Sequence, residues 1–281
     1  MAQDIDLQKH IAQAAQVLCD FLDGIHPVCG LILGSGLNFY ADTLHHARIL
    51  PYNEVPFMRV STAEGHKGQF VVGYLDADAT IPILCMQGRI HGYEGASAVE
   101  VAFPVWVMHA AGIDTLITTN AAGAINRTYS VGSFCCMKDH INFTGRNPLV
   151  GVEQSHMAQR FVPMLDAYDS ALRVALLELA SHLNIEVHEG VYLGLLGPSF
   201  ETPAEIKMFS LWGADTVAMS VVEEVIAARH VGMRVVGLSF ISNMACGIEG
   251  ADPNSDEVMD AALQAETDFK TLMNAFITTC I

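Results

Sequence analysis

Positive charge is scarce in this sequence. Its 281 residues include 14 Lys and Arg against 31 Asp and Glu, which gives a formal net charge of −17 at pH 7. A surface this acidic repels DNA, RNA and anionic membranes, so we expect no nucleic-acid partner and no membrane partner. Long apolar runs are missing too, because none reaches the ~18 residues needed to span a bilayer. Because cations are so few in this chain, an Arg beside a glycine turn is a candidate for a binding role rather than an ordinary surface residue.

Motifs for disulfides, metals and secretion are also absent. The seven cysteines include no CxxC pair and several stand inside apolar runs, which favours reduced, buried thiols and a cytoplasmic protein. The twelve histidines show no HExxH or similar ligand spacing, so we expect no metal site. The opening MAQDIDLQKH has no basic region followed by an apolar one, so we expect no signal peptide.

Continuous apolar runs alternate with helical patterns along the chain. Helical spacing predicts helices near 5–22, 98–111, 166–184, 221–230 and 256–278. Apolar and β-branched runs predict strands near 28–33, 69–75, 80–86, 113–119, 191–197, 215–220 and 234–242. This alternation predicts an α/β fold with a mixed, mostly parallel central sheet flanked by helices. Since no repeat or Pro/Ser linker interrupts the pattern, we expect residues 1–281 to form a single domain.

Glycine and polar motifs follow several predicted strands, where open α/β sheets bind ligands. The first is GSGLN at 34–38, which matches neither a P-loop nor a dinucleotide fingerprint. Its two glycines allow a sharp turn and close approach to a ligand, while Ser35 offers a hydroxyl and an amide to an anion. A plain strand–loop turn is the alternative interpretation.

The segment QGRIHGYEG holds the chain's densest group of possible donors. If it stays extended, Arg89, His91 and Tyr93 share one face. Arg89 then offers a planar fork of N–H donors and His91 a titratable one, and Glu94 could pair with His91 and hold its charge. A solvated loop is the alternative. His66 in GHKG, taken alone, fits a surface turn better.

Two capping boxes mark helix starts. Ser220 with Glu223 predicts a helix that begins at Ser220, and Thr202 with Glu205 predicts another, with Pro203 at its first position. A helix start offers free amides and a partial positive charge to an anion. The alternative for Ser220 is that it only caps its own helix.

Three further residues suit a flat heterocycle. Glu201 lies just before the helix predicted from Thr202, beside Phe200. There its carboxylate could accept hydrogen bonds from a stacked ring. Asn243 follows a buried strand, and its amide both donates and accepts. The alternatives are an exposed loop acid and a turn residue.

Taken in order, the motifs of residues 25–280 resemble those of the homotrimeric purine nucleoside phosphorylases. The similarity rests on GSGLN, GHKG, QGRIHGYEG, TNAAGAIN, DHINFTGRNPL, GPSFETPAE, GADTVAMSVVEEVIAARH and SFISN. It implies reversible phosphorolysis of a 6-oxopurine nucleoside (inosine, guanosine or xanthosine) to the free base and ribose 1-phosphate. Inorganic phosphate would be the co-substrate, with no metal or organic cofactor. It also implies a cytoplasmic homotrimer, with a hexamer of paired trimers as the alternative.

The resemblance implies a role for each of thirteen residues. Phosphate would be held by Ser35, His66, Arg89, His91, the backbone amide of Ala121 and Ser220. The purine would be held by Phe200, Glu201 and Asn243. The ribose would be held by Tyr93, Met219, Ser255 and, from a neighbouring subunit, Met157. Of these, His91, Glu201 and Asn243 would be catalytic.

Departures from the family pattern leave alternatives open. The family often has a His where Ser255 stands and an aromatic where Met157 stands, so preference at the ribose 5′ position is open. Phosphorylases of 5′-methylthioadenosine have Asp at the position of Asn243. The Asn in this chain therefore favours a 6-oxopurine over adenine. A 5′-methylthioadenosine-type phosphorylase, a nucleoside hydrolase, a non-catalytic nucleoside-binding protein and a dinucleotide oxidoreductase remain rivals. The anion-binding elements argue against a hydrolase, because an attacking water needs none. The missing dinucleotide fingerprint argues against an oxidoreductase.

Overall fold

The computed structural model describes residues 7–63, 65–152 and 159–281, and for 255–260 it describes the backbone alone. Its helices are α1 (Leu7–Leu22), α2 (Ala98–Ala110), α3 (Ser170–Leu183), α4 (Pro203–Leu211), α5 (Val222–His230) and α6 (Ser255–Cys280). Its strands are β1 (Gly30–Leu33), β2 (His45–Pro51), β3 (Gln69–Tyr74), β4 (Pro82–Gln87), β5 (Thr115–Ala124), β6 (Phe134–Asn142), β7 (Val187–Gly194), β8 (Thr216–Ala218) and β9 (Arg234–Met244).

All nine strands belong to one sheet in the order β2-β3-β4-β1-β5-β8-β7-β6-β9. Five strand pairs are parallel (β1–β4, β1–β5, β5–β9, β6–β7 and β7–β8) and four are antiparallel. The predicted mixed, mostly parallel sheet is therefore confirmed. Strand β5 also pairs with β9, so β5, β8, β7, β6 and β9 close into a ring that the sequence did not predict.

The sequence missed two strands for identifiable reasons. The side chains of β2 are mostly exposed because it is the edge strand, so its sequence shows no apolar run. The second half of β6 (KDHIN) is mostly polar, and its side chains are exposed or half-buried. A third strand, β5, is longer than predicted and continues through NAAGA, pairing with β9 from Thr115 to Ala124. The polar NAAG motif is therefore strand rather than turn.

Helices cover both faces of the sheet, as predicted. Residues of α1, α2 and α5 share one large apolar cluster, in which Trp106 is fully buried. Residues of α3 and α6 share the other, around Phe269 and Phe276. Burying one such aromatic side chain contributes roughly 1.5–3 kcal/mol. This double cover holds the strand ends rigidly in place.

Only one of the two predicted capping boxes forms. Thr202 Oγ1 accepts from the backbone N–H of Glu205 at 3.2 Å, and Glu205 accepts from Thr202 N at 2.7 Å, with Pro203 beginning α4.

The box at Ser220 is wrong, because α5 begins at Val222 without a side-chain cap. Glu223 is instead buried against Arg146, with Nη2 and Oε1 3.2 Å apart. A buried carboxylate is costly without a charge partner, so Glu223 pairs with Arg146 rather than with the start of its own helix. Val221, which precedes the helix, has φ 73°, a strained conformation for a β-branched residue.

Candidate active site

The glycine and polar motifs converge on one cavity of about 250 Å³ at the ends of several strands. Ten of the thirteen residues proposed from the sequence line it: Ser35, Arg89, His91, Tyr93, Ala121, Phe200, Glu201, Met219, Ser220 and Asn243. They come from segments up to 208 positions apart in the chain (243 − 35). The fold therefore unites motifs that the sequence could only place at separate strand ends.

Of the other three proposed residues, His66 alone has a described side chain, and it is not in the cavity wall. His66 lies behind it, with Nε2 3.5 Å from Ser35 Oγ and its ring centroid 5.0 Å from that of His91. Met157 falls outside the described residues. Ser255 begins α6, and its side chain also falls outside the description.

The turn after β1 is shaped by close contact with β5. A Cβ on Gly34 would come within 2.5 Å of Asn120 Cα and 2.8 Å of Thr119 O, so only glycine fits. Gly36 has φ 76°, a conformation that favours glycine. Ser35, between them, is thereby held against the end of β5.

Arg89 is buried and its hydrogen bonds are almost all made within the protein. Its Nε and Nη2 contact Glu224 Oε1 and Oε2 at 2.9 and 2.8 Å. Nη2 also donates to Thr118 Oγ1 at 2.8 Å, and Nη1 donates to Thr119 O at 2.5 Å. The planar fork expected to face an anion thus faces Glu224. The Nη1 edge, 3.4 Å from Ser220 Oγ, is what reaches toward the cavity.

His91 pairs with Glu94, as predicted. Glu94 Oε1 lies 2.8 Å from the backbone N and 3.0 Å from Nδ1 of His91. The prediction that Glu94 keeps His91 charged is wrong, because burial lowers the pKa of His91 by more than this hydrogen bond raises it. For Glu94, burial raises the pKa, but hydrogen bonds from His91 and Thr62 outweigh it and the net pKa is well below its usual range.

His66 is neutral for a similar reason. Burial lowers its pKa to about 4, assisted by the neighbouring His91. Its Nδ1 lies 3.0 Å from both the backbone N and the backbone O of Arg89. When Nδ1 accepts from the N–H, the neutral ring carries its hydrogen on Nε2. Its Nε2 can then donate toward Ser35 without a positive charge.

Ser220 is fixed by a buried tyrosine. The hydroxyl of Tyr192 donates to Ser220 O at 2.9 Å, and the backbone N–H of Ser220 donates to the same hydroxyl at 3.2 Å. The strained Val221 follows directly. The two hydrogen bonds with Tyr192 and the local backbone conformation therefore position the Ser220 hydroxyl at the cavity. A helix cap does not.

Glu201 is a buried acid, only 7% exposed, rather than the exposed loop acid considered as its alternative. Burial raises the pKa of its carboxyl, and the nearby Glu205 adds to the rise. Phe200 beside it is 45% exposed and lines the same cavity. A carboxylate and an aromatic face thus border one space.

Asn243 has a fixed amide. Its Oδ1 accepts from Ser242 Oγ at 2.7 Å, and its Nδ2 donates to Met244 O at 2.9 Å. A Cβ on Gly123, the β5 residue paired with Asn243, would lie 3.1 Å from this Nδ2. Oδ1 keeps one lone pair and Nδ2 one hydrogen for a ligand.

Several contributors were missed from the sequence. Glu224, Thr118 and Ser242 orient the residues named above but belong to no recognisable motif of their own. The second Glu of VVEEV was a weak signal, because an acid in an otherwise apolar run implies a buried partner.

Two negative findings concern the described part of the chain. No group of three or more His, Cys, Asp or Glu side chains within it could hold a metal ion. No helix there is both long enough and apolar enough to cross a membrane.

Comparison with known proteins identifies the family. The sequence model of the phosphorylase superfamily matches residues 29–278, so the chain belongs to this superfamily. It is 46% identical over 267 residues to purine nucleoside phosphorylase 1 of Geobacillus stearothermophilus, covering 95% of this chain and 96% of the relative. The corresponding Bacillus subtilis protein is 45% identical over 251 residues, with 89% and 92% covered. Within the superfamily, the chain is therefore a member of the purine nucleoside phosphorylases, which are pentosyltransferases.

Solved structures agree with this assignment. A schistosoma purine nucleoside phosphorylase in complex with hypoxanthine matches with a TM-score of 0.88 and 34% identity, covering 97% of this chain and 98% of the other. Isoform 2 of the Schistosoma mansoni enzyme, in complex with cytosine and ribose-1-phosphate, matches with a TM-score of 0.90 and 34% identity, with 97% of both chains covered. The α/β fold is thus that of the purine nucleoside phosphorylases.

Proposed function

We propose that this protein catalyses the reversible phosphorolysis of 6-oxopurine nucleosides such as inosine, guanosine and xanthosine. The products are the free base and ribose 1-phosphate. One observation carries the proposal: a single cavity joins anion donors on one side to a buried carboxylate and a fixed amide on the other. The relatives that bind hypoxanthine and ribose-1-phosphate support the same two halves.

The phosphate half combines hydroxyl and backbone donors with the guanidinium that Arg89 shares with Glu224. The Ser35 and Ser220 hydroxyls, the Ala121 amide and the Nη1 edge of Arg89 donate to phosphate oxygens, with His91 beside them. His66 supports this set through its contact with Ser35. Fixed donors in a buried cavity are worth more than the same donors in water, because no reorganisation is needed when charge moves.

The purine half distinguishes a 6-oxopurine from adenine. A 6-oxopurine carries a hydrogen on N1, which the Glu201 carboxylate accepts, whereas N1 of adenine is itself an acceptor. Asn243 donates to O6 through Nδ2. Its Oδ1 accepts from N7 once the leaving base carries a hydrogen there, because N7 of the bound nucleoside has only a lone pair. Phe200 packs on the ring. The amide of Asn243 is held for this task by Ser242.

The chemistry is the cleavage of a glycosidic bond. As the bond from C1′ to N9 lengthens, its electron pair moves to the purine and positive charge grows on the ribose, as in other glycosidic cleavages. A phosphate oxygen attacks C1′, and hydrogen phosphate gives up its proton as ribose 1-phosphate forms. The leaving purine gains one proton at N7, and Asn243 Oδ1 accepts from that N7–H. These contacts accelerate the reaction only to the extent that they strengthen in the transition state. Neither a metal nor an organic cofactor has a step to perform.

The ribose lies between the two halves in this proposal. Tyr93 and Met219 contact it from the cavity wall, and Ser255 lies toward its 5′-hydroxyl. Met157 of a neighbouring subunit completes this side in a homotrimer. The exposed apolar side chains Phe143, Phe161 and Trp212 are consistent with a subunit interface, since large exposed apolar groups often mark one.

The test is release of hypoxanthine from inosine with and without phosphate. We expect release only with phosphate, with ribose 1-phosphate as the co-product, and activity with guanosine and xanthosine above that with adenosine. Release without phosphate would indicate a hydrolase. No release from any nucleoside, with the fold intact, would indicate a binding protein.

A matched pair of variants locates the purine site. Glu201→Gln removes the carboxylate inside the cavity, and Glu205→Gln removes one that caps α4 outside it. We expect the first to lower kcat/KM for inosine by at least about tenfold and the second to leave it within about twofold. Equal effects of the two variants would contradict the proposed role of Glu201.

A further inference from the structure

The hydrogen on the His91 ring is placed by its partner. Glu94 is ionised, since its pKa is well below its usual range, and an ionised carboxylate only accepts hydrogen bonds. The contact of 3.0 Å between Glu94 Oε1 and His91 Nδ1 therefore puts a hydrogen on Nδ1. In the neutral ring, Nε2 then carries a lone pair instead of a hydrogen.

This lone pair creates a conflict at an anion site. His91 lines the cavity, and its Nδ1 is used by Glu94, so Nε2 is the ring atom left for a ligand. A phosphate or sulfate oxygen is an acceptor and is repelled by another acceptor. Only the imidazolium, with a hydrogen on both nitrogens, can donate from Nε2 to the anion.

The charges that face His91 come from three parts of the fold. Glu94 and Arg89 lie in its own segment, His66 faces it from the loop before β3, and Glu224 faces it from α5. Glu224 balances the charge of Arg89 through two hydrogen bonds. The pocket with both histidines neutral thus has no surplus of positive charge to attract a dianion.

His66 does not meet the same requirement. Its Nδ1 can accept from the backbone N–H of Arg89, which leaves a hydrogen on Nε2 in the neutral ring. It can therefore donate toward Ser35 without taking up a proton. The difference between the two histidines lies in their partners. The Arg89 backbone offers Nδ1 of His66 a donor as well as an acceptor, both at 3.0 Å, whereas the Glu94 carboxylate offers Nδ1 of His91 only an acceptor.

We infer that His91 holds the anion as an imidazolium, so that an anion with no hydrogen of its own binds together with one proton taken from the solvent. The proton adds to Nε2, and Glu94 stabilises the positive ring from the other side. This inference rests on the proposed phosphate site. Phosphate can bring a proton itself, as the hydrogen phosphate ion, so sulfate is the sharper probe.

The experiment is calorimetry of sulfate binding at pH 7.5 in two buffers whose ionisation enthalpies differ, Hepes and Tris. The difference between the two binding enthalpies gives the number of protons taken up. We expect about one proton per sulfate and, across pH 7–8.5, an affinity that falls by up to about tenfold per pH unit. Displacement of the sulfate by phosphate shows that both anions use one site.

A matched pair of variants assigns the proton to His91. In Glu94→Gln the amide can donate to Nδ1, so the neutral ring can carry its hydrogen on Nε2 and the uptake should fall below about half of the wild-type value. Glu100→Gln is the control. Glu100 accepts from the backbone N–H of Ser97, as Glu94 accepts from that of His91, but its partner is not a histidine. This variant should keep the full proton uptake.

The outcomes separate the two proposals. Sulfate that binds to the wild-type protein without proton uptake overturns the inference and leaves the phosphate site standing. Uptake that is unchanged in Glu94→Gln also overturns it, because the proton then goes elsewhere. A wild-type protein that binds neither sulfate nor phosphate overturns the proposed function as well. The wild-type measurement decides the inference even if Glu94→Gln fails to fold.

Discussion

Arg89 and Glu224 form a buried, two-pronged ion pair across the sheet, with Nε–Oε1 and Nη2–Oε2 distances of 2.9 and 2.8 Å. The side chains are 1% and 3% exposed. They are 135 positions apart in sequence, one at the end of β4 and one in α5. The pair fixes the guanidinium so that its Nη1 edge meets Ser220, and Glu224 balances the positive charge of Arg89 within the pocket.

Removing one member of this pair should destabilise the protein. Glu224→Gln leaves Arg89 buried without a counter-charge, so we expect the free energy of unfolding to fall by about 3 kcal/mol. Urea denaturation in buffer free of phosphate and sulfate measures it, because bound anions would stabilise the folded state. The exposed Glu178→Gln should change it by less than about 0.5 kcal/mol. A Glu224→Gln protein as stable as the wild type would show that the pair contributes little.

Replacing the guanidinium by an ammonium should weaken phosphate binding selectively. Arg89→Lys keeps the charge but cannot bridge Glu224 and also reach Ser220, because it has no planar fork. We expect the KM for phosphate to rise at least about tenfold and that for inosine much less. Steady-state kinetics with each substrate varied in turn measures both. Arg234→Lys, at a partly exposed ion pair with Asp169, is the control. A larger rise for inosine would remove Arg89 from the phosphate half.

Changing the amide of Asn243 should change the preferred base. Asn243→Asp loses the donor for O6, and its carboxyl can accept from the 6-amino group of adenine instead. We expect the ratio of kcat/KM for inosine to that for adenosine to fall by about tenfold or more. Asn184→Asp, at the exposed end of α3, controls for the same chemical change. An unchanged ratio would mean that Asn243 does not read the base.

The half-buried, neutral His66 makes stability depend on pH. Its folded pKa is lowered to about 4, so below the ordinary histidine pKa the unfolded chain binds a proton that the folded protein does not. The contribution of His66 to the free energy of unfolding is therefore complete above about pH 6.5. It is lost as the pH falls toward 4, by at most about 1.4 kcal/mol per pH unit. Urea denaturation of wild type and His66→Gln at pH 7, 6 and 5 tests this. We expect a shallower pH slope for the variant, and identical slopes would show that His66 does not contribute.

Local sequence determined the elements whose signals are local. The helix over Leu7–Leu22 and the hairpin of β3 and β4 follow from hydrophobic spacing, and the start of α4 follows from Thr202 and Glu205. These features depend on residues within a few positions of one another, so they can be recognised in the sequence without knowledge of the tertiary structure. The order of the motifs also identified the family and ten of the residues that line the cavity.

Tertiary structure decided what depends on partners distant in sequence. The box of Ser220 and Glu223 looked as good as that of Thr202 and Glu205, but Glu223 pairs with Arg146 instead. The charge expected on His91 was likewise lost to burial. Local patterns fix the conformation of a segment. Burial and the choice of charge partner exist only once segments meet, and they set the electrostatics of the site.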